Sequence, residues 1–290
     1  MSKCYLCPRM CGADRAAGEL GFCTEGNELR VSRAALHLYE EPPISGERGS
    51  GTIFFSGCSL RCVFCQNKEI SRSRGKGETV TVSELAEIML RLQGEGAHNI
   101  NLVTPTHFAD KIAAALTEVA PQLNIPVVYN TSGYERAETL RLLDGLIDIY
   151  MPDLKYAAPS LAAKYSAAPN YPEVVEKALT EMYRQVGKFE YGEDKILKRG
   201  LIVRHLVLPS CRKDSMEVLD RLASLLPPKD VLLSLMSQYT PEFYDGEYKE
   251  LCRRITSFEY ESVLRHAESL GFEGFMQSRD AASSVYTPDF

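Results

Sequence analysis

No run in this chain of 290 residues approaches eighteen consecutive apolar residues, so no segment is expected to span a bilayer. The N-terminus, Met1-Ser-Lys-Cys-Tyr-Leu-Cys7, lacks the apolar core of a signal peptide. Positive charge is in deficit: 33 Lys and Arg against 39 Asp and Glu leave a net charge of −6. That argues against nonspecific steering toward nucleic acid or an anionic membrane, a local basic patch apart. The one small basic run, Arg72-Ser-Arg74-Gly-Lys76, reads as a solvated loop. Tryptophan is absent, and nothing follows from that. The five histidines, His37, His98, His107, His205 and His266, are scattered; only His107 and His205 fall at expected strand tips. These absences point to a cytoplasmic protein, a compartment where clustered cysteines bind metal more often than they pair.

What is present is ordinary in bulk, with 44% hydrophobic and 25% charged residues, and fits one large domain or a barrel with an appendage. The nine cysteines are not ordinary. Cys4, Cys7, Cys11 and Cys23 lie near the N-terminus, Cys58, Cys62 and Cys65 share one segment, and Cys211 and Cys252 stand alone. Basic residues follow each of the last two, Arg212-Lys213 and Arg253-Arg254, but no second cysteine lies near either, so they read as structural thiols. The segment Gly57-Cys-Ser-Leu-Arg-Cys-Val-Phe-Cys-Gln66 has the spacing Cys-x3-Cys-x2-Cys. Three such thiolates can hold three irons of a [4Fe–4S] cube and leave the fourth without a protein ligand. An open coordination position is where a metal site does chemistry. Zinc would want four ligands, usually as separated pairs, and inert buried cysteines rarely come three to a segment.

Residues 1–50 read as loop, punctuated by Gly12, Gly18, Gly21, Gly26, Pro42, Pro43, Gly46 and Gly49. They hold too few apolar residues for a core, and a metal would supply the missing folding energy. From residue 51 short apolar runs alternate with helical stretches. The expected strands are Thr52–Ser56, Asn99–Thr104, Pro126–Asn130, Ile147–Met151, Leu201–Leu208 and Val231–Met236, near-continuously apolar as strands buried on both faces should be. Val82, Leu85, Ile88, Met89 and Leu92 fall on one helical face behind a Thr81/Glu84 capping box. Val218, Leu219, Leu222, Leu225 and Leu226 repeat the pattern, and Val263, Ala267 and Leu270 end at Gly271. Six β-then-α repeats imply an α/β fold with a parallel sheet, either doubly wound or a curved partial barrel. The functional face is then the carboxyl ends of the strands, and the three-cysteine loop follows the first strand directly. Residues 155–200 read as a helix plus an exposed excursion. The tail, residues 277–290, would fray or cover the site.

Other strand ends carry polar groups: Asn130-Thr131-Ser132-Gly133-Tyr134 and Met151-Pro152-Asp153-Leu154-Lys155. Oxygens and a Lys cation at neighbouring tips make a receptor for a zwitterionic amino-acid moiety. Taken singly, such residues more often cap the next helix.

The cluster loop, with Phe64 just before its last cysteine, resembles that of the radical S-adenosylmethionine (SAM) superfamily. Residues 51–240 resemble its glycyl-radical-enzyme activating enzymes, with pyruvate formate-lyase activating enzyme as reference. The resemblance implies a partial (β/α)6 TIM-like barrel over residues 51–276, with residues 1–50 as a small metal-stabilised extension. It implies that Cys58, Cys62 and Cys65 bind the cluster, whose open iron takes the amino and carboxylate groups of SAM. Phe64 and Gln66 match positions near the adenine, and Lys155 the family's Asp-Leu-Lys. Asn130, Thr131, Met151 and Asp153 match residues around a monovalent cation, and Arg204 an Arg that reaches SAM. The electron donor implied is a flavodoxin or ferredoxin, and the partner a protein substrate.

Three departures stand out. Asn130 replaces an Asp, which removes a charge from the cation site. The family's Gly-Gly-Glu, which holds the SAM amino group, gives way to Val103-Thr104-Pro105-Thr106-His107, so Thr104 and Thr106 become the candidates. A His of the sixth strand becomes Gln238. The N-terminal cysteines resemble the leader of a less characterised branch with Cys-x2-Cys-Pro, and fit zinc or a second Fe–S cluster.

The leading expectation is reductive SAM cleavage that activates a glycyl radical enzyme. Radical modification of another protein, an RNA or a small molecule is the rival. A reading of another class, a non-catalytic Fe–S electron-transfer or scaffold protein, requires every iron to be protein-ligated.

Overall fold

The computed structural model describes residues 3–72, 75–244 and 246–276. The tail 277–290 and the middle of the basic run, residues 73–74, lie outside the described residues.

The chain opens with irregular turns and then forms β1 (Leu29–His37), the short α1 (Pro42–Ser45), β2 (Ser50–Phe55), α2 (Lys68–Ser71) and β3 (Glu78–Val80). Alternation follows with α3 (Val82–Gly94), β4 (Ile100–Val103), α4 (Ala109–Val119), β5 (Val127–Thr131), α5 (Ala137–Leu140) and β6 (Ile149–Pro152). The rest is α6 (Pro159–Ser166), α7 (Tyr171–Val186), β7 (Glu190–Tyr191), β8 (Leu197–Leu206), α8 (Arg212–Leu225), β9 (Leu232–Met236), α9 (Ser257–Ser269) and β10 (Glu273–Met276).

All six expected strands form, as β2, β4, β5, β6, β8 and β9, and pair in parallel in that order. Each of the short ones is buried along its whole length, which is why their sequences lack alternation. β10 adds a further parallel strand beside β9. The sheet is a partial barrel that does not close, running β10-β9-β8-β6-β5-β4-β2-β1-β3. The capping box before α3 is present: Glu84 N–H donates to Thr81 Oγ1 at 3.1 Å and Thr81 N–H to Glu84 Oε2 at 2.7 Å.

The loop reading of residues 1–50 is corrected at β1, a strand of nine residues paired antiparallel to β2. Its register shifts between Val31 and Arg33, and the bulge breaks the two-residue alternation that would have disclosed a strand. Residues 155–200 are likewise two helices and a hairpin, since β7 pairs antiparallel with β8. β10 was missed because it is short and has Gly274 inside it; a Cβ there would lie 1.9 Å from the Leu233 carbonyl.

The barrel has two hydrophobic regions. One lies between sheet and helices and takes in Leu85, Met89 and Leu92 of α3 and Val218, Leu219 and Leu222 of α8. The other fills the lumen with Val128, Ile149, Met151, Ile202 and Leu232, together with Ile44 of α1. So α1, from the N-terminal fifty residues, plugs the barrel floor, held there by Asn99 Nδ2 donating to the Ile44 carbonyl at 2.7 Å.

Beyond β5 the Glu135 carboxylate is buried, accepting from Thr106 Oγ1 at 2.5 Å and from Thr131 Oγ1. The Tyr129 hydroxyl and the Cys7 thiol face it. Burial pushes this carboxyl up to about 7, against the two hydroxyl donors. The folded state therefore keeps a proton between about pH 4.5 and 7 that the unfolded chain releases, so stability falls as pH rises through that window. Glu135→Gln should flatten that slope and gain on the parent at pH 8, on the order of 1–3 kcal/mol. Urea unfolding at pH 5 and pH 8 checks this; an equal gap between the two proteins at both values would count against it.

Candidate active site

The three-cysteine loop leaves β2 at Gly57, whose φ is +79°. A Cβ there would lie 2.5 Å from the Cys23 carbonyl oxygen, so only glycine lets the N-terminal segment pass this close. Backbone bonds fix the loop on both sides. Cys58 N–H donates to Cys23 O at 3.3 Å, while Arg61 and Val63 donate to Ser166 and Tyr165 at the end of α6, at 3.2 and 2.9 Å. Leu60 N–H points at Cys58 Sγ, 3.4 Å. Cys62 Sγ shares a hydrogen bond with Ser166 Oγ at 3.0 Å, and Cys65 Sγ with Ser71 Oγ at 3.4 Å. Burial, and then Cys62 beside it, push the Cys58 thiol up to about 12; burial raises Cys62 as well, though Lys155 opposes it.

Cys62 and Cys65 open onto a cavity of about 270 Å³ at the carboxyl ends of the strands, with Phe64 and Gln66 on its wall. Tyr239 packs its edge on Phe64, ring centroids 6.0 Å apart. Gln238 lines the far side and donates weakly to Met236 Sδ at 3.5 Å.

A charged network crosses the cavity. Arg204 Nη2 donates to Asn130 Oδ1 at 2.6 Å and its Nε to Asp153 Oδ1 at 3.0 Å, while Lys155 Nζ reaches Asp153 Oδ2 at 2.6 Å. Burial alone would raise the Asp153 carboxyl, but Arg204 and Lys155 outweigh it and hold it below the usual range. Arg204 thus sets positive charge between Asn130 and Asp153, the two residues matched to the cation site.

Sequence reading missed one charged member, Glu40. It lines the cavity with His37 and Tyr39, and its Oε2 lies 3.8 Å from Arg204 Nη1. Burial, and then Glu41 next to it, push its carboxyl up to about 7. Its signal was weak, an acidic pair before Pro42-Pro43 in a segment read as loop.

Other expected residues lie elsewhere. Thr104, with a φ of +59°, and Thr106 are not in the cavity wall, and the Thr106 hydroxyl is committed to Glu135. Thr131 is buried on Glu135 too, and Met151 packs in the lumen core. His107 and His205 are buried and bond backbone carbonyls, Ser56 O and Leu154 O, both at 2.6 Å. Cys211 is buried and Cys252 exposed.

Tyr171 of α7 ties two strand tips together. Its hydroxyl lies 2.7 Å from the Asp153 carbonyl and 2.9 Å from that of Ser132, and accepts Lys155 N–H at 3.1 Å. Gly133 makes the close approach possible, since a Cβ there would fall 2.3 Å from Asp153 O.

The sequence matches the Radical SAM superfamily over residues 52–188, the stretch that carries the loop and three of the strand tips. The chain belongs to the radical SAM superfamily. It is 30% identical over 281 residues to protein MJ0674 of Methanocaldococcus jannaschii, an alignment covering 93% of this chain and 76% of that protein. In fold it is similar to a radical SAM methyltransferase from Sphaerobacter thermophilus, with a TM-score of 0.50, 14% identity, and coverage of 78% of this chain and 66% of the other. Methylornithine synthase gives a TM-score of 0.50 at 16% identity, covering 75% and 62%. The chain spans less than two thirds of either solved structure, and such identities speak to the fold alone.

Superfamily membership makes the chain an enzyme and implies a [4Fe–4S] cluster and SAM. The residues present fit a cluster. Three half-buried sulfurs in one loop repel one another once ionised and then call for a cation, and two of them open onto the cavity. Among the described residues no three His, Cys, Asp or Glu side chains converge on a single ion position. A cube does not require that, because each thiolate binds its own iron. No helix among the described residues is long and apolar enough to cross a membrane.

Tyr171→Phe should strip the Lys155 N–H and one carbonyl of their partner, costing about 1–3 kcal/mol and weakening SAM binding several-fold through the displaced Lys155. Denaturation midpoints and SAM titration read this; full stability with full affinity would remove Tyr171 from the site.

Proposed function

We propose that this cavity carries out reductive cleavage of SAM and directs the resulting radical at a glycyl Cα of a partner enzyme. The observation that carries it is the pair Cys62 and Cys65 at the rim of a cavity whose walls hold Lys155, Arg204 and Asp153. Bound here, the cluster and SAM would supply one-electron reduction of a sulfonium to methionine and a 5′-deoxyadenosyl radical, which takes a hydrogen atom from the substrate.

The protein's own residues do the rest. Cys58, Cys62 and Cys65 hold the cluster from one loop. Lys155 and Arg204 attract the SAM carboxylate, oriented by Asp153 and Asn130. Phe64 and Gln66 sit beside the adenine. Glu40 takes the role of the missing Gly-Gly-Glu and receives the SAM amino group, since Thr104 and Thr106 do not line the cavity. The donor is a flavodoxin or ferredoxin, and the setting the cytoplasm. Arg204 stands in for the monovalent cation.

The rival target, another protein, an RNA or a small molecule, is favoured by two observations: Gln238 replaces a His, and Glu40 reshapes the cavity. The scaffold reading requires a fourth protein ligand to the loop cluster, which the three-thiol spacing does not supply.

Cys58→Ala, Cys62→Ala and Cys65→Ala should each abolish release of methionine and 5′-deoxyadenosine from SAM in reduced, reconstituted protein, while Cys211→Ala retains it. Active loop variants would overturn the site, and an unchanged cluster EPR spectrum on SAM addition would favour the scaffold. Anaerobic incubation with labelled SAM and cell extract then identifies the molecule that exchanges hydrogen. Glu40→Gln should raise the Kd for SAM about tenfold, as loss of one charged hydrogen bond does; unchanged affinity would return the amino-group role to another residue.

A further inference from the structure

Cys4, Cys7, Cys11 and Cys23 take no part in the cavity, yet they are arranged for thiolate chemistry. Arg15 sets a guanidinium against Cys23 Sγ at 3.2 Å, and a cation beside a sulfur favours the charged form that a metal needs.

The sulfurs also share a neighbourhood. Residues 21–25 form a turn closed by Thr24 N–H to Gly21 O at 3.0 Å and Gly21 N–H to Glu25 O at 2.9 Å. A Cβ on Gly21 would lie 3.2 Å from Cys23 Sγ and 3.4 Å from Cys11 Sγ, so both thiols border one small space. Cys7 interacts electrostatically with Cys23 and Cys4. Cys7 and Cys23 are buried, Cys4 half-buried and Cys11 exposed, so the set runs from the protein interior to its surface.

This segment lies on the back of the loop that bears Cys58. A backbone hydrogen bond joins the two cysteine sets, with Cys58 N–H donating to Cys23 O at 3.3 Å. Arg9 Nε donates to Ser59 O at 2.7 Å, and Arg61 donates to Phe22 O. Both guanidinium groups stack on the Phe22 ring, 4.0 and 4.5 Å from its centroid. Arg15 donates to Cys23 Sγ at 3.2 Å and to His107 O at 2.7 Å, just as His107 grips Ser56 O ahead of the loop.

We propose that Cys4, Cys7, Cys11 and Cys23 bind a thiophilic metal centre, zinc or a second Fe–S cluster, that clamps the back of the catalytic cluster loop. Metal bonds make up for a core that this segment lacks, and Cys23, Arg9 and Arg61 pass that rigidity to Cys58 and Ser59.

The test reads metal rather than turnover, so it stands apart from whether SAM is cleaved. Anaerobically purified protein should carry one zinc, or about four irons with sulfide beyond the loop's own; which of the two is found identifies the centre. Cys4→Ser/Cys11→Ser should lose that metal, keep the loop's iron, and release it to a chelator about tenfold faster. Arg61→Gln, which leaves all four thiols in place, should keep the N-terminal metal yet show the same faster release. Wild-type protein with iron for the loop alone and no zinc would overturn the site. Loss of the metal with unchanged release of loop iron, or unchanged release in Arg61→Gln, would overturn the clamp.

Discussion

Ionising three half-buried sulfurs on one loop is unfavourable unless something positive meets them, and this constraint organises the site. Burial drives Cys58 and Cys62 toward their neutral forms, while metal binding needs them ionised. Lys155 is the nearby cation, but Asp153 already engages its ammonium. Iron bound here would supply the missing charge, a demand that the fold can bear because the backbone is fixed from two sides. The end of α6 holds Arg61 and Val63, and the N-terminal segment holds Cys58.

The same logic explains why the barrel can stay open. A closed parallel barrel fills its lumen with strand side chains. Here the sheet ends at β10 on one side and at β1 and β3 on the other, and the lumen is completed by a segment that is not part of any parallel strand. Ile44 of α1 plugs the floor, and Glu40 enters the space above it. Tyr171 ties the tips of β5 and β6 together from the helical side. The N-terminal fifty residues are thus structural to the cavity.

The parallel strands were legible because full burial on both faces leaves near-continuous apolar runs, as in Thr52-Ile-Phe-Phe55 and Leu232-Leu-Ser-Leu-Met236. The place of the three-cysteine loop was legible because it follows the first parallel strand directly. β1 was not, because its bulge at Val31 and Arg33 spoils alternation. Thr104 and Thr106 were expected in the cavity from their place after a strand. Register decides otherwise: Val103 occupies the cavity-facing position opposite Asn130, and Thr106 turns back to Glu135. Glu40 was invisible for a different reason. Its approach to Arg204 joins positions far apart in the chain, and no local pattern encodes such a contact.

Asn130 and Glu40 make most sense as a pair. An Asp at 130 would set a second carboxylate beside Asp153, and two such groups call for a cation between them. With Asn130 neutral, the Arg204 guanidinium serves both oxygens at hydrogen-bond distance and no further charge is needed there. The carboxylate absent at 130 has its counterpart in Glu40, on the other side of the same guanidinium. Asp153 and Glu40, with Glu41 beside Glu40, then face Lys155 and Arg204 before any cofactor arrives. The acid then comes from the N-terminal segment rather than from the tip of β5. Asn130 and Glu40 thus flank one guanidinium, the neutral group on a strand tip and the acid on the N-terminal segment.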